Sequence, residues 1–340
     1  MIWLSWRQTR LQIGVALAAA CAIAAVTALT GPRLARLAHT GVNLFDQLTS
    51  SDLTLFFAGI AVVALVPAII GAFLGAPVVA REMETGTYRL IWTQSVPRSS
   101  WLAARIGVTS LAAAGVMGAI TLAITWWSGP LDGAVSGTRG ALPTHLTPVT
   151  FAMRGVVPIG YAVFAVSLGI ALGAMLRRTL PAMAITLALY AAVQIAMPLW
   201  VRPILITPVT TTIAFSRSTL AGISLDSLQD TTVTVHTADR NDWILRNETV
   251  DAEGHVTGLP GWFKSCLPPV QPVAAGSGGP DVVSLDACLG RLTDSGYRQR
   301  VVYQPADRFW PLQWVETAIY LAASAVLVCF TFWWVRRRIT

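Results

Sequence analysis

Charge is the scarce material in this chain. Only 12% of its 340 residues are Asp, Glu, Lys or Arg, and Lys264 is the single lysine. A soluble domain carries about a quarter charged residues, so this composition excludes a large water-exposed globule. With 54% hydrophobic residues and a mean hydropathy of +0.60, it describes a polytopic membrane protein instead. A net charge of +7 and a pI of about 9.7 would ordinarily invite a nucleic-acid reading. Here the arginines fall at the ends of apolar runs, where membrane orientation requires them, and nucleic acid is not an expected partner.

Reactive motifs are equally scarce. No Walker A sequence occurs, so the chain has no phosphate-cradling loop of that type for ATP. The histidines, His39, His145, His236 and His255, are scattered, without HExxH or CxxC spacing, and no metal site is expected. GxSxG is also missing. Neither a cofactor nor a catalytic residue is assigned to the chain. Ionisable residues within the apolar runs are nearly absent, which argues against an ion-coupled carrier. Glu316 is the one candidate, at the outer edge of the last run, where a solvated headgroup-level carboxylate is the plainer reading. A pathway free of buried charge suits an amphiphilic or hydrophobic cargo.

What is present is a series of apolar runs near 20 residues, enough to cross about 30 Å of hydrocarbon. The first is Leu11 to Thr30, ended by Gly31-Pro32; its length and the lack of a small-residue cleavage site argue against a removed leader. The second is Leu53 to Ala80, the third Leu102 to Trp127 before Gly129-Pro130, the fourth Gly155 to Leu176, and the fifth Leu180 to Val201. Residues 131–150 read as a loop. Gly71 with Gly75, and Gly169 with Gly173, are small-xxx-small pairs that permit close helix approach. The sixth run is Thr317 to Val335, with Arg308 and Trp310 at its outer edge and Arg336-Arg337-Arg338 beyond it. The expected fold is mainly α, with six transmembrane helices and one domain of mixed, strand-leaning structure between the fifth and sixth. In residue terms these are 1–202, 203–312 and 313–340.

Arg distribution orients the chain. The side holding both termini carries eleven arginines, among them Arg81, Arg89, Arg98 and Arg105, against only Glu82 and Glu84. By the positive-inside rule that side is cytoplasmic, which puts the protein in the inner cell membrane and the 203–312 domain outside. Cys21 and Cys329 fall inside spans. Cys266 and Cys288 are alone in the outer domain, in an oxidising compartment, and are the disulfide candidates; two free thiols are the alternative. Thr231 to His236 alternates like a strand, and Asn247-Glu-Thr249 matches a short glycosylation sequon.

Between the second and third runs lies a polar segment, Arg81 to Trp101, that cannot sit in lipid. Its residues resemble type-2 ABC exporter permeases, most closely an actinobacterial group. The likeness rests on Gly75-Ala76-Pro77, Ala80-Arg81-Glu82, Glu84, Gly86-Thr87, Arg89-Leu90, Trp92 to Val96, Arg98 and Trp101. Similar stretches are Met1 to Gln8 and Tyr303 to Trp310. The resemblance implies a non-catalytic permease subunit, paired with a second permease copy or paralogue, above separate ATPase subunits that bind ATP and Mg. The 81–101 loop would be the coupling element. In it Glu82 and Glu84 would meet basic groups of the ATPase or fix an adjacent helix, Gly86 would turn the backbone, and Arg89 and Arg98 would hold the loop at anionic headgroups; Arg81 and Thr87 belong to the same coupling set. The alternative is a membrane-anchored receptor or resistance factor that binds a ligand through its outer domain.

Overall fold

A computed structural model describes residues 2–39, 49–86, 97–135, 144–225, 231–239, 241–266 and 285–338. The chain divides into a helical unit, Met1–Ile206 with Arg308–Thr340, and a strand-containing unit, Thr207–Asp307. The strand-containing unit is narrower than the 203–312 read from composition.

Among the described residues, six helices of the helical unit are long and apolar enough to cross a membrane. They are α1 (Ile2–His39), α2 (Ser50–Ile70) with its continuation α3 (Ala76–Thr85), α4 (Arg98–Val135), α5 (Val157–Leu176), α6 (Thr179–Ala196) and α8 (Phe309–Arg338). Two expected stops are not stops: α1 runs through Gly31-Pro32 and α4 through Gly129-Pro130. A proline deletes one ladder hydrogen bond, and packing between the two helices outweighs that loss. Trp127 Nε1 donates to Thr30 Oγ1 at 2.8 Å beside the proline of α1. The expected 131–150 loop also differs from a plain loop where it is described. A helical turn at Pro148–Phe151 is pressed into the bundle, with Leu146, Phe151 and Met153 fully buried.

Helix α5 is the hub. Some 72% of it is buried, against 17–39% for the other five spans. It earns that position with small residues. The second span breaks its α ladder in a π turn, Gly71–Gly75, where the Ala76 amide donates back to the Gly71 carbonyl. A π turn inserts one residue and tilts the wall of the helix. Against that wall lie Gly169 and Gly173 of α5. A Cβ at Gly75 would stand 2.8 Å from the Val166 carbonyl oxygen, one at Gly173 2.6 Å from that of Ala76, and one at Gly169 would collide with that of Gly71. The two small-residue pairs therefore face one another in backbone-to-backbone contact. Large apolar side chains such as Leu29, Leu111, Leu180 and Ile204 point outward and are more than three-quarters exposed, as a lipid-facing surface requires.

The strand-containing unit holds an antiparallel sheet in the order β1 (Val209–Ile213), β5 (Arg298–Gln304), β4 (Trp243–Val250), with Thr211 opposite Val301. A second pair joins β2 (Leu220–Leu225) to β3 (Thr231–Val235). The amphipathic helix α7 (Leu285–Asp294) covers a core of Phe215, Val233, Val235, Phe263, Leu289, Leu292 and Val301. Cys266 and Cys288 are bonded to each other and buried in that core. The sequon residue Asn247 is engaged in the sheet: its Nδ2 donates to the Val235 carbonyl at 2.9 Å.

Candidate functional site

At one end of the helical bundle, α3 closes on Gly86, whose φ of +71° is the left-handed C-terminal turn that glycine adopts without strain. Just before it stand the two carboxylates of the polar segment. Glu82 forms an ion pair with Arg105 of α4, and the Arg105 side chain is only 5% exposed. Glu84 turns to the opposite neighbour. Its Oε2 accepts the Thr179 backbone amide at 3.1 Å and the Thr179 hydroxyl at 2.6 Å. Thr179 is the first residue of α6, so Glu84 supplies from another helix the acceptor that an N-cap would supply locally, beside the positive end of the α6 dipole. The adjoining turn is fixed as well. Arg177, at φ +54°, caps α5 and donates to the Arg338 carbonyl of α8 at 2.8 Å.

The end of α3 is thus bound to α4, α6 and, through the α5–α6 turn, α8. Arg81 is exposed beside it. Thr87 and Arg89 lie outside the described residues, as does the side chain of Arg98. Sequence reasoning counted Arg105 only among the arginines of the cytoplasmic side; the structure makes it the buried partner of Glu82.

The other end contains the larger correction. Glu316 is not a solvated edge carboxylate: it is fully buried, as is Arg202. Arg202 Nε lies 2.7 Å from Glu316 Oε2 and its second terminal nitrogen 2.9 Å from Oε1. This two-point pairing matches the guanidinium fork to the carboxylate. Tyr161 of α5 donates to Glu316 Oε1 at 2.7 Å. The Arg202 head also donates to the Pro148 carbonyl at 3.0 Å and lies 4.4 Å from the centre of the Phe151 ring. One residue pair therefore joins α5, the Pro148–Phe151 turn, the end of the fifth span and the start of the sixth. Nearby, Gln313 Oε1 accepts the amides of Val156 and Val157 at 3.0 and 2.9 Å, and its Nε2 donates to the Phe151 carbonyl at 3.1 Å. Trp310 is exposed and Arg308 half-buried at the same end.

Arg202 was missed because the fifth apolar run was closed at Val201. A π turn, Met197–Val201, precedes it and the helix continues over Arg202–Leu205. The buried positions of the fifth span, α6 and its continuation, run 182, 186, 190, 197 and then 202. The inserted residue of the π turn is what moves the inward position to 202. A sequence signal existed: Pro203-Ile-Leu-Ile206 continues the apolar run beyond the arginine. A charge flanked by apolar residues on both sides is an intramembrane charge by default, with a partner to be found.

A bundle of six apolar helices with irregular turns and buried, paired charges is that of a multi-pass membrane protein. A family profile described as ABC-2 membrane transporter related matches residues 11–202, more than half of the chain, which therefore belongs to that family. It is a permease component of an ABC transporter, a role that implies association with ABC ATPase subunits. The match runs from within α1 to Arg202 near the end of the fifth span, and takes in Gly71, Gly75, Glu82, Glu84, Gly169 and Gly173. The strand-containing unit and α8 lie beyond it. No curated protein and no solved structure matches the chain.

Proposed function

We propose that this permease is the non-catalytic membrane subunit of an ATP-driven exporter, of the kind resembled in actinobacteria. Two permease subunits, copies or paralogues, would line the pathway, and separate ATPase subunits would bind ATP and Mg. Both termini and the 81–101 segment are cytoplasmic in this reading, and the Thr207–Asp307 unit is outside.

One observation carries the coupling role of that segment: the end of α3 is tied by Glu82 to α4 and by Glu84 to the first residue of α6. An ATPase that displaced this end would move two further spans directly, because the linkers are charge-assisted bonds rather than a flexible tether. Exposed Arg81 lies on the same turn, next to the segment that would face the partner.

The test is co-purification of the ABC ATPase co-expressed with the permease. Glu84→Arg is expected to abolish recovery of the ATPase while membrane insertion is retained. Thr179→Val, which removes the hydroxyl contact but no charge, should keep the ATPase bound and lower its permease-dependent ATP turnover. Full recovery of the ATPase with Glu84→Arg would refute the docking assignment. For orientation, an impermeant thiol reagent should label a cysteine placed at 255 and not one at 86; the opposite pattern reverses the topology.

A further inference from the structure

A cavity of about 480 Å³ opens between α2, α6 and the Pro148–Phe151 turn. That is the size range of small-molecule sites. Most of its wall is apolar, with Ile60 and Leu65 on one side, Leu187 and Ile195 on the other, and Met153 behind. Leu65 and Ile195 are more than half exposed, so the rim continues into the lipid-facing surface. The polar part of the wall is Tyr161, Tyr190, Gln194 and Arg202.

Two of these groups, Tyr190 and Gln194, form a hydrogen-bonded cluster with Tyr320, which is not itself part of the wall. Gln194 Nε2 bonds to the Tyr190 hydroxyl, and the Tyr320 hydroxyl to Gln194 Oε1 at 3.4 Å. Two phenols and one amide carry four protons, and only two bonds join them. Whichever way the amide is turned, two protons have no acceptor among the described residues. Arg202 adds another. Its Nε and one terminal nitrogen are taken up by Glu316 and Tyr161, and the remaining terminal nitrogen spends one proton on the Pro148 carbonyl and keeps one. Tyr190 and Arg202 are 2% and 1% exposed. Buried donors without acceptors are costly in an apolar setting. Charge gives no contrary preference, since Glu316 neutralises Arg202. The wall therefore offers surplus hydrogen-bond donors and no net charge, at the head of an apolar slot.

We propose that this cavity binds an uncharged amphiphile entering from the lipid, with an oxygen-acceptor headgroup (ester, ether or hydroxyl) held by Tyr190, Gln194 and Arg202, and its apolar chain between α2 and α6. It rests on the permease reading only for the further statement that such a molecule is cargo; binding itself requires neither ATP nor a partner.

The experiment uses the full chain in phosphatidylcholine nanodiscs, without ATPase, and a monoacylglycerol bearing a diazirine on its acyl chain. Cross-linked positions are mapped by mass spectrometry. Labelling is expected to concentrate on residues 60–68 and 187–198. Excess monoacylglycerol should displace the label, and an alkyltrimethylammonium of equal chain length, which has no acceptor, should not. Tyr190→Phe combined with Gln194→Leu removes surplus donors and should weaken binding about tenfold, the worth of roughly one to two hydrogen bonds. Ala191→Phe, at an exposed position on the cavity wall, should abolish labelling by filling the slot without touching the polar cluster. Labelling spread evenly over lipid-facing helices would overturn the assignment, as would equal displacement by the ammonium compound or labelling unchanged in both variants. In a second arm with the ABC ATPase co-reconstituted, monoacylglycerol that labels the site without raising ATP turnover would leave the site standing and remove only the statement that such a molecule is cargo.

Discussion

Arg202 and Glu316, 114 residues apart, meet in a fully buried two-point ion pair, Nε to Oε2 at 2.7 Å and a terminal nitrogen to Oε1 at 2.9 Å. Each charge is tolerable there only because of the other. Removing one leaves an uncompensated buried ion, which costs about 3–5 kcal/mol, whereas replacing both by apolar groups of similar volume is often neutral. Arg202→Met and Glu316→Leu should each cause a large loss of thermal stability in detergent, and the double variant should recover most of it. Additive losses in the double-mutant cycle would mean that the two side chains act separately.

The helix contact at the hub makes a position-specific prediction. Gly169→Ala drives a methyl into the Gly71 carbonyl oxygen, and Gly173→Ala drives one into that of Ala76. Because the obstacle is backbone on a packed helix, each should destabilise the bundle by about 1–3 kcal/mol. Gly107→Ala is the control, since nothing stands within 4 Å of its added Cβ. It should be neutral or slightly stabilising, as a helical glycine replaced by alanine normally is. Equal unfolding temperatures for all three variants would contradict close packing at this contact.

In the strand-containing unit, the Cys266–Cys288 bond closes a loop with a sequence separation of 22. The chain-entropy account puts such a cross-link at about 3 kcal/mol. Non-reducing electrophoresis should show a mobility shift on reduction that Cys266→Ser abolishes. The same variant should expose the Phe263 and Leu289 core to proteolysis sooner. Identical mobility with and without reductant would show two free thiols.

Asp242 supplies a pH dependence outside the membrane-spanning segments. Burial raises its carboxyl above the ordinary value of 3.8, and the Ala306 amide donating to it at 2.9 Å opposes part of that rise. A carboxyl raised in the folded state binds its proton more tightly there than in the unfolded chain. Its favourable contribution is therefore complete below pH 3.8 and is lost as pH climbs through the raised value. Asp242→Asn keeps an acceptor for the Ala306 amide and removes the charge. It should stabilise this unit at neutral pH and flatten its stability between pH 4 and 7, read by tryptophan fluorescence during denaturation. An unchanged pH profile would assign the dependence to other groups.

Much of the layout was legible because it depends on local hydropathy. Six apolar runs, a strand-containing insert between the fifth and sixth, and a polar segment after the second are properties of short windows of sequence. Helix ends were read less well. Gly31-Pro32 and Gly129-Pro130 carry the local signature of a stop, and contacts such as Trp127 to Thr30 override it. The polar segment was legible as a segment, but the partners of its carboxylates were not. Glu82 and Glu84 look alike in sequence, yet one neutralises a buried arginine and the other caps a helix that begins 95 residues later.

The sequence by itself determined that this chain lives in a membrane, how many times it can cross, and which side its arginines favour. Each of these follows from transfer free energies that add along a single helix. Only the tertiary structure decided which charges are buried, because a lone charge in lipid reads as a boundary until its counter-ion is brought beside it. Arg202 read as the stop after the fifth span and Glu316 as the wet edge of the sixth. A π turn that shifts one helix by a residue, and the packing of α5 against its neighbours, made them a pair.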